Sequence, residues 1–254
     1  IGAEKNILLT GNLFGFPRPE ASRSWAEVLY YPGCFARYRR PSLVEAWEKL
    51  MDGLGQKFTV LGSQEGCCGF WLFRWGRAEA AREVSRANAE LIRSTGASVL
   101  VTGCPHCLYT LAWEYPRVGV DIGMPVLHTT QFLNQLAREG RIGFSSLADQ
   151  KLVYHEPCYL KHYLGKEGLG NLFSLAGYKS VRADQGDVSE CCGGGDGISL
   201  IRAEVARDLA RQVVSRAEKA GAGTLVTACP NCLENFSLET VRLNVADILE
   251  LVQV

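Results

Sequence analysis

Val99-Leu100-Val101-Thr102-Gly103-Cys104-Pro105-His106-Cys107-Leu108 returns 125 residues further on as Thr224-Leu225-Val226-Thr227-Ala228-Cys229-Pro230-Asn231-Cys232-Leu233. In each copy a short β-branched and apolar run leads into a Cys-x-x-Cys pair, and the run reads as a strand. Working outward, Cys67-Cys68-Gly69 parallels Cys191-Cys192-Gly193, and Arg77-Ala78-Glu79 parallels Arg202-Ala203-Glu204. Cys34 parallels Cys158. All ten cysteines of the 254-residue chain are thereby placed, five in each copy, as C-x32-CC-x35-C-x2-C and C-x32-CC-x36-C-x2-C. A period near 124 residues is too long for a solenoid unit. It marks one small domain duplicated, with the seam between Gly140 and Gln150. The expected organisation is an N-terminal linker over 1–24, a first repeat over 25–143 and a second over 144–254.

Each repeat alternates strand and helix. Strands are predicted at 27–31, 57–61 and 98–102, then at 151–155, 179–183 and 224–227. Helices are predicted at 43–54, at 78–94 with Gly96 as its C-cap, and at 198–220 ending on Gly221. Such alternation predicts an α/β fold in which each repeat is a small parallel sheet flanked by helices, the two repeats related by a pseudo-two-fold. Cys34, Cys104, Cys158 and Cys229 each follow a predicted strand, and each adjacent-cysteine pair precedes a helix. In parallel α/β sheets ligands bind beyond the carboxyl ends of the strands. Five cysteines per repeat are therefore expected to converge at one sheet edge, where helix N-termini favour an anionic group.

Composition narrows the function. With 47% hydrophobic and 21% charged residues the chain should fold rather than stay disordered. Its 27 basic and 27 acidic residues cancel, which gives no electrostatic case for nucleic acid or an anionic membrane. No apolar run reaches the roughly 18 residues of a membrane span. The chain opens on Ile1 rather than Met, so targeting upstream of it is not legible. A cytoplasmic location is expected, with membrane association through a partner.

Ten cysteines admit several chemistries. Disulfides fit poorly, because adjacent cysteines pair only with strain and nothing indicates secretion. A thioredoxin-like Cys-x-x-Cys leaves the adjacent pairs unexplained. Structural zinc, in one repeat or both, takes four thiolates, whereas each repeat offers five. Iron–sulfur ligation leads, and five ligands per repeat suggest something other than an ordinary cubane.

Two copies of this pattern resemble the cysteine-rich CCG domains of the B-type and D-type polypeptides of heterodisulfide reductase and related iron–sulfur oxidoreductases. The resemblance runs from about Glu27 to Val254. His155-Glu156-Pro157-Cys158 is similar to the family's His-Asp-Pro-Cys, and Gly11-Asn12-Leu13-Phe14-Gly15-Phe16-Pro17 to the Gly-Asn-Pro-Phe-Gly linker of the D-type proteins. It implies that Cys34, Cys67, Cys68, Cys104 and Cys107 hold one noncubane [4Fe–4S] cluster, and Cys158, Cys191, Cys192, Cys229 and Cys232 a second. It further implies a disulfide substrate cleaved between facing clusters. The electrons would come from a ferredoxin-like domain or subunit, either a separate chain or a segment upstream of Ile1. Many relatives have a degenerate first repeat that carries zinc or nothing; here that repeat is complete.

Other residues compete with plainer roles. His155 is a candidate proton donor or hydrogen-bond partner of cluster sulfur, against a packed strand-end histidine. His106 interrupts the first Cys-x-x-Cys where the second has Asn231, which argues against a ligand role. Lys161 and His162 read as exposed loop residues, and His128 carries no role. Gly193-Gly194-Gly195-Asp196-Gly197 lacks the order of a nucleotide loop and reads as close backbone approach to a cluster, with N–H groups aimed at sulfur. Phe70-Trp71-Leu72-Phe73-Arg74-Trp75 reads as a wall over the cluster, a partner interface or core. Three functions follow: an oxidoreductase acting on a disulfide within a complex, an electron relay to a quinone, flavin subunit or membrane cytochrome, and a structural zinc–cysteine module.

Overall fold

The computed structural model describes residues 2–17, 26–144, 152–164, 168–175, 180–183, 190–240 and 242–254. The chain forms two compact units, Ile1–His128 and Thr129–Val254.

The first unit opens with helix α1 (Gly2–Thr10) and continues β1 (Val28–Tyr30), α2 (Gly33–Arg39), α3 (Pro41–Gly53) and β2 (Phe58–Thr59). A 3-10 turn at Gly62–Gln64 precedes α4 (Phe70–Arg74), α5 (Ala78–Ser94), β3 (Val99–Thr102) and α6 (Pro105–Tyr109). A π-helical turn at Thr110–Glu114 leads into α7 (Tyr115–Arg117), and β4 (Val126–His128) closes the unit. The four strands pair in parallel in the order β2-β1-β3-β4, with Val28 opposite both Phe58 and Val99.

The second unit contains α8 (Thr129–Arg138), β5 (Gly143–Phe144), β6 (Leu152–Tyr154), α9 (Cys158–Tyr163), α10 (Leu169–Leu175) and β7 (Ser180–Arg182). It continues with α11 (Ile198–Ile201), α12 (Ala203–Lys219), β8 (Thr224–Thr227), α13 (Pro230–Ser237), β9 (Asn244–Asp247) and β10 (Val252–Gln253). Its parallel sheet has the order β7-β6-β8-β9, the same as the first with strand numbers advanced, and β5 pairs antiparallel with β10.

The inner strands β1, β3, β6 and β8 are mostly apolar, as suits a parallel sheet with both faces covered by helices. β1 and β8 are buried at every position. The long helices bury one stripe each: Ala81, Ser85, Asn88, Ala89 and Ile92 on α5, and Ala206, Ala210, Val213, Val214 and Ala217 on α12. On α3 the fully buried Trp47 stacks on Tyr30 of β1, ring centroids 4.4 Å apart. In the second unit Cys192, Cys229 and Cys232 belong to the same buried cluster as Val153, Val213, Leu225 and Phe236, so the thiols border the core.

The α/β class and the two parallel sheets match the sequence expectation. Each sheet nevertheless has a fourth strand, β4 or β9, that the alternation did not disclose. The helix expected over 198–220 breaks at Arg202, whose φ of −139° and ψ of 68° are non-helical. Helix α8 packs against α10 and falls in the second compact unit. Residues 145–150 of the expected seam and 1 and 18–24 of the expected linker lie outside the described residues. Within 2–17 the chain is ordered onto the first unit: the amide of Cys67 donates to the Gly11 carbonyl, and Glu4 pairs with Arg77 at 3.2 Å.

Candidate metal centres

In the first unit all five cysteines meet beyond the carboxyl ends of β1 and β3. Cys34 stands one residue into α2, and Cys104 takes the N-cap position of α6, with Cys107 one turn on. Gly33 sits at φ 75°, and a Cβ there would lie 2.8 Å from the Cys107 sulfur, so the turn needs glycine. Cys67 and Cys68 occupy the loop before α4. Their thiols neighbour one another in series, Cys34 beside Cys67, Cys67 beside Cys68, Cys68 beside Cys107 and Cys107 beside Cys104. Four of these cysteines are buried and Cys34 is half-buried.

Hydrogen bonds to Cys34 and Cys68, with burial, push Cys67 well above the usual thiol range. Bonds to Cys104 and Cys68 do the same to Cys107. The neighbouring Cys107 and Cys67 pull Cys68 well down against its burial, helped by the Phe70 amide and the Thr110 hydroxyl. Cys104 falls to about 5, chiefly through Cys107 and then His106, against its burial. Five neighbouring thiolates in a dry space repel one another, so ionising all of them together requires cationic charge between them. Metal-bound thiols are deprotonated outright, and this donor set fits an iron or zinc group. Among the described residues no three His, Cys, Asp or Glu side chains close around a single metal ion; the thiols are strung in series.

The second unit repeats the placement beyond β6 and β8. Cys158 begins α9, and Cys229 caps α13 with Cys232 one turn on. Cys232 neighbours Cys192 and Cys229, as Cys107 neighbours Cys68 and Cys104. Cys158 and Cys191 lie within electrostatic reach of Cys192 and Cys229, and burial raises both thiols. These two are half-buried, the other three buried. The glycine loop sends its amides to sulfur: Gly193 N–H to Cys191 at 3.3 Å and Gly194 N–H to Cys192 at 3.4 Å. In the first unit Gly69 N–H reaches Cys67 at 3.4 Å. The loop also presses on helix backbones. A Cβ on Gly193 would lie 2.4 Å from the Ala206 carbonyl oxygen, and one on Gly194 2.5 Å from that of Asn231. These close approaches are to helix main chain, whereas the sequence reading expects close approach to a cluster.

His155 is fully buried and meets Phe236 edge-on at 5.0 Å. His106 stacks on Phe70 at 4.2 Å and hydrogen-bonds with the Cys104 thiol. His128 is buried and bonded to the Gly103 carbonyl, and burial lowers it to about 3. His162 is exposed and Lys161 half-buried. Phe70, Trp71 and Leu72 are core residues, and Trp75 is half-buried. Sequence reasoning missed Glu65 and Arg37, which tie the two cysteine loops of the first unit together; neither lies in a motif.

Two parallel α/β units, each gathering five thiols at the carboxyl edge of its sheet, define a duplicated cysteine-rich protein. The chain belongs to the CCG cysteine-rich domain family, which it matches twice, at residues 28–112 and 152–237. It is 32% identical over 238 residues to the D-type polypeptide of the dihydromethanophenazine:CoB–CoM heterodisulfide reductase of Methanosarcina barkeri, covering 89% of this chain and 58% of that one. It is 30% identical over 185 residues to the EtfAB:quinone oxidoreductase of Syntrophomonas wolfei, covering 70% of this chain and 25% of the relative. A crystal structure of a hypothetical protein from Helicobacter pylori shares the fold, with a TM-score of 0.64, 11% identity, and coverage of 97% and 52%. The chain spans a little over half the length of the reductase polypeptides it matches. These curated relatives are oxidoreductases or subunits of them. Among the described residues no helix is long and apolar enough to cross a membrane.

Proposed function

We propose that this chain is the iron–sulfur subunit of a heterodisulfide reductase-like complex, with one noncubane [4Fe–4S] cluster in each repeat, and that it reduces or forms a disulfide. Cys34, Cys67, Cys68, Cys104 and Cys107 would hold the first, and Cys158, Cys191, Cys192, Cys229 and Cys232 the second. The observation that carries the reading is the five-thiol series of the first unit, met by a glycine amide, and its counterpart in the second. Bound clusters would supply electrons, delivered by a ferredoxin-like domain or subunit. The protein's own part is to hold the thiolates apart from bulk water and to give their sulfurs N–H donors. In this reading His155 supplies a proton near Cys158, and His155→Ala leaves iron content unchanged while slowing turnover.

The test is an anaerobic metal and sulfide inventory of the chain, followed by disulfide turnover in the electron-supplied complex. About eight iron atoms per chain are expected for two four-iron clusters. Zinc without iron overturns the reading, and zinc beside one cluster reduces one repeat to a structural site. A second reading, an electron relay to a quinone, flavin subunit or membrane cytochrome, draws support from the similarity to a quinone oxidoreductase. Iron-loaded complex that passes electrons to such a partner and reduces no disulfide establishes that alternative.

A further inference from the structure

The peptide joining Cys68 to Gly69 and the one joining Cys192 to Gly193 occupy equivalent places in the two repeats. Among the described residues no peptide is cis. In a trans peptide the C=O and N–H point in opposite directions, so fixing the oxygen aims the hydrogen. In the first unit the Tyr115 hydroxyl donates to the Cys68 carbonyl at 3.0 Å. That hydroxyl accepts from Asn88 Nδ2 at 2.9 Å, and Asn88 also donates to the Cys67 carbonyl at 2.8 Å. Both hydrogens of the amide group are thereby used. The far end of the clamped peptide is Gly69 N–H, which meets the Cys67 sulfur. In the second unit Asn235 Nδ2 donates to the Cys192 carbonyl at 2.5 Å and to the Ala206 carbonyl at 3.0 Å. The far end of that peptide is Gly193 N–H, which meets the Cys191 sulfur. Asn88, Tyr115 and Asn235 are all buried.

The clamps are not copies of one another. The places 125 residues beyond Asn88 and Tyr115 hold Val213 and Thr240, and the place 125 before Asn235 holds Thr110. The same peptide is thus held in the same sense by unrelated residues on different helices. These three positions differ between the repeats, yet the orientation of this one peptide is the same in both. We infer that Tyr115, seated by Asn88, and Asn235 are positioning residues that aim the Gly69 and Gly193 amides at Cys67 and Cys191. Resting on the iron–sulfur reading, the inference assigns them the reduction potential of their own site. An N–H aimed at a ligand sulfur stabilises the added negative charge of the reduced state, and hydrogen bonds to sulfur are among the terms that set such potentials.

The test uses the full chain, loaded anaerobically, with Tyr115→Phe and Asn235→Leu, which remove the donors and nearly keep the volume. Tyr115→Phe is expected to lower the midpoint potential of the first site alone, with iron retained, and Asn235→Leu that of the second alone. Unchanged potentials with full iron content in Tyr115→Phe overturn the inference, and this variant decides the matter if Asn235→Leu does not fold. Absence of iron from the parent chain would instead refute the functional reading. The clamp is then read in the metal-free chain by amide hydrogen exchange. Faster exchange at Gly69 but not Gly193 in Tyr115→Phe supports it, and no change at either overturns it.

Discussion

Arg37 donates to Glu65 at 2.7 Å, and the same carboxylate accepts the Gly33 amide at 3.1 Å. The contact joins α2, which carries Cys34, to the loop that carries Cys67 and Cys68. The side chains are 12% and 2% exposed. Burial pushes the Glu65 carboxyl up, while Arg37 and the Gly33 amide pull it back.

Removing one partner of such a pair leaves a dry charge uncompensated, which costs about 3–5 kcal/mol, whereas replacing both by apolar groups costs less. Arg37→Met should therefore destabilise the first unit by that order, and Arg37→Met with Glu65→Leu by less than Arg37→Met alone. All five tryptophans precede residue 129, so urea unfolding followed by tryptophan fluorescence reads this unit. A double variant as costly as the two single ones summed would show that the charges do not interact.

The repeat was legible because cysteine spacing survives divergence, and strand-then-helix alternation fixed the parallel sheets. The fourth strands were not legible. Val126–His128 is three residues long and precedes the polar-looking run Thr129-Thr130-Gln131, so it has no period to detect. Position 202 looked helical because Arg is a good helix former, yet its backbone turns out of the helix to end α11 and start α12. Of the candidate site, the ten cysteines stand out in the sequence, but the groups that support them do not. Asn88 and Ser85 interrupt an otherwise apolar stripe on α5, the one sequence signal that marked a buried polar contact there.

The glycine loop of the second unit permits a sharper mutational contrast. A Cβ on Gly194 would lie 2.5 Å from the Asn231 carbonyl oxygen, and neither main chain can yield cheaply. A Cβ on Gly69, by contrast, would meet only side chains, Val84 at 3.5 Å and Phe73 at 3.8 Å, although its φ of 87° still disfavours other residues. Gly194→Ala should displace Cys192 and abolish metal binding in the second repeat, halving the metal content. Gly69→Ala should keep its metal with a modest loss of stability, about 1–2 kcal/mol. Metal analysis and melting temperature check both, and equal effects of the two substitutions would contradict the backbone contact.

His128 gives the first unit a pH dependence. Burial lowers its imidazole to about 3, against the Gly103 carbonyl that favours the charged ring. The unfolded chain takes up a proton near pH 6.5, which the folded chain refuses until about pH 3. Stability from this group is complete above the upper value and is lost as pH falls through the window, at most about 1.4 kcal/mol per pH unit. His128→Gln, which can still donate to Gly103, should flatten that slope. Tryptophan-detected urea midpoints between pH 4 and 7 measure it, and parallel curves for the two proteins would show that His128 is charged in the fold.

Asp247 imposes the opposite slope on the second unit. It ends β9 and caps the 3-10 turn at Ile248–Leu251, accepting the Leu249 amide at 3.0 Å while its own amide donates to Glu250 at 2.9 Å. Burial pushes its carboxyl up to about 8; the Leu249 amide opposes this and the Glu250 charge adds to it. Between the usual carboxylate range and about 8 the folded chain keeps a proton that the unfolded chain has released. Stability from this group is therefore complete at low pH and is lost as pH rises through the window. Asn keeps the side-chain oxygen that accepts from Leu249 and cannot ionise. Asp247→Asn should thus match the parent near pH 4.5 and exceed it near pH 8. The second unit has no tryptophan, so the measurement is native-state hydrogen exchange at the β8 and β9 amides, corrected for the intrinsic pH dependence of exchange. A difference between the two proteins that does not change with pH would mean that Asp247 is ionised in the fold. The cap would then owe its strength to a charged acceptor rather than a neutral one.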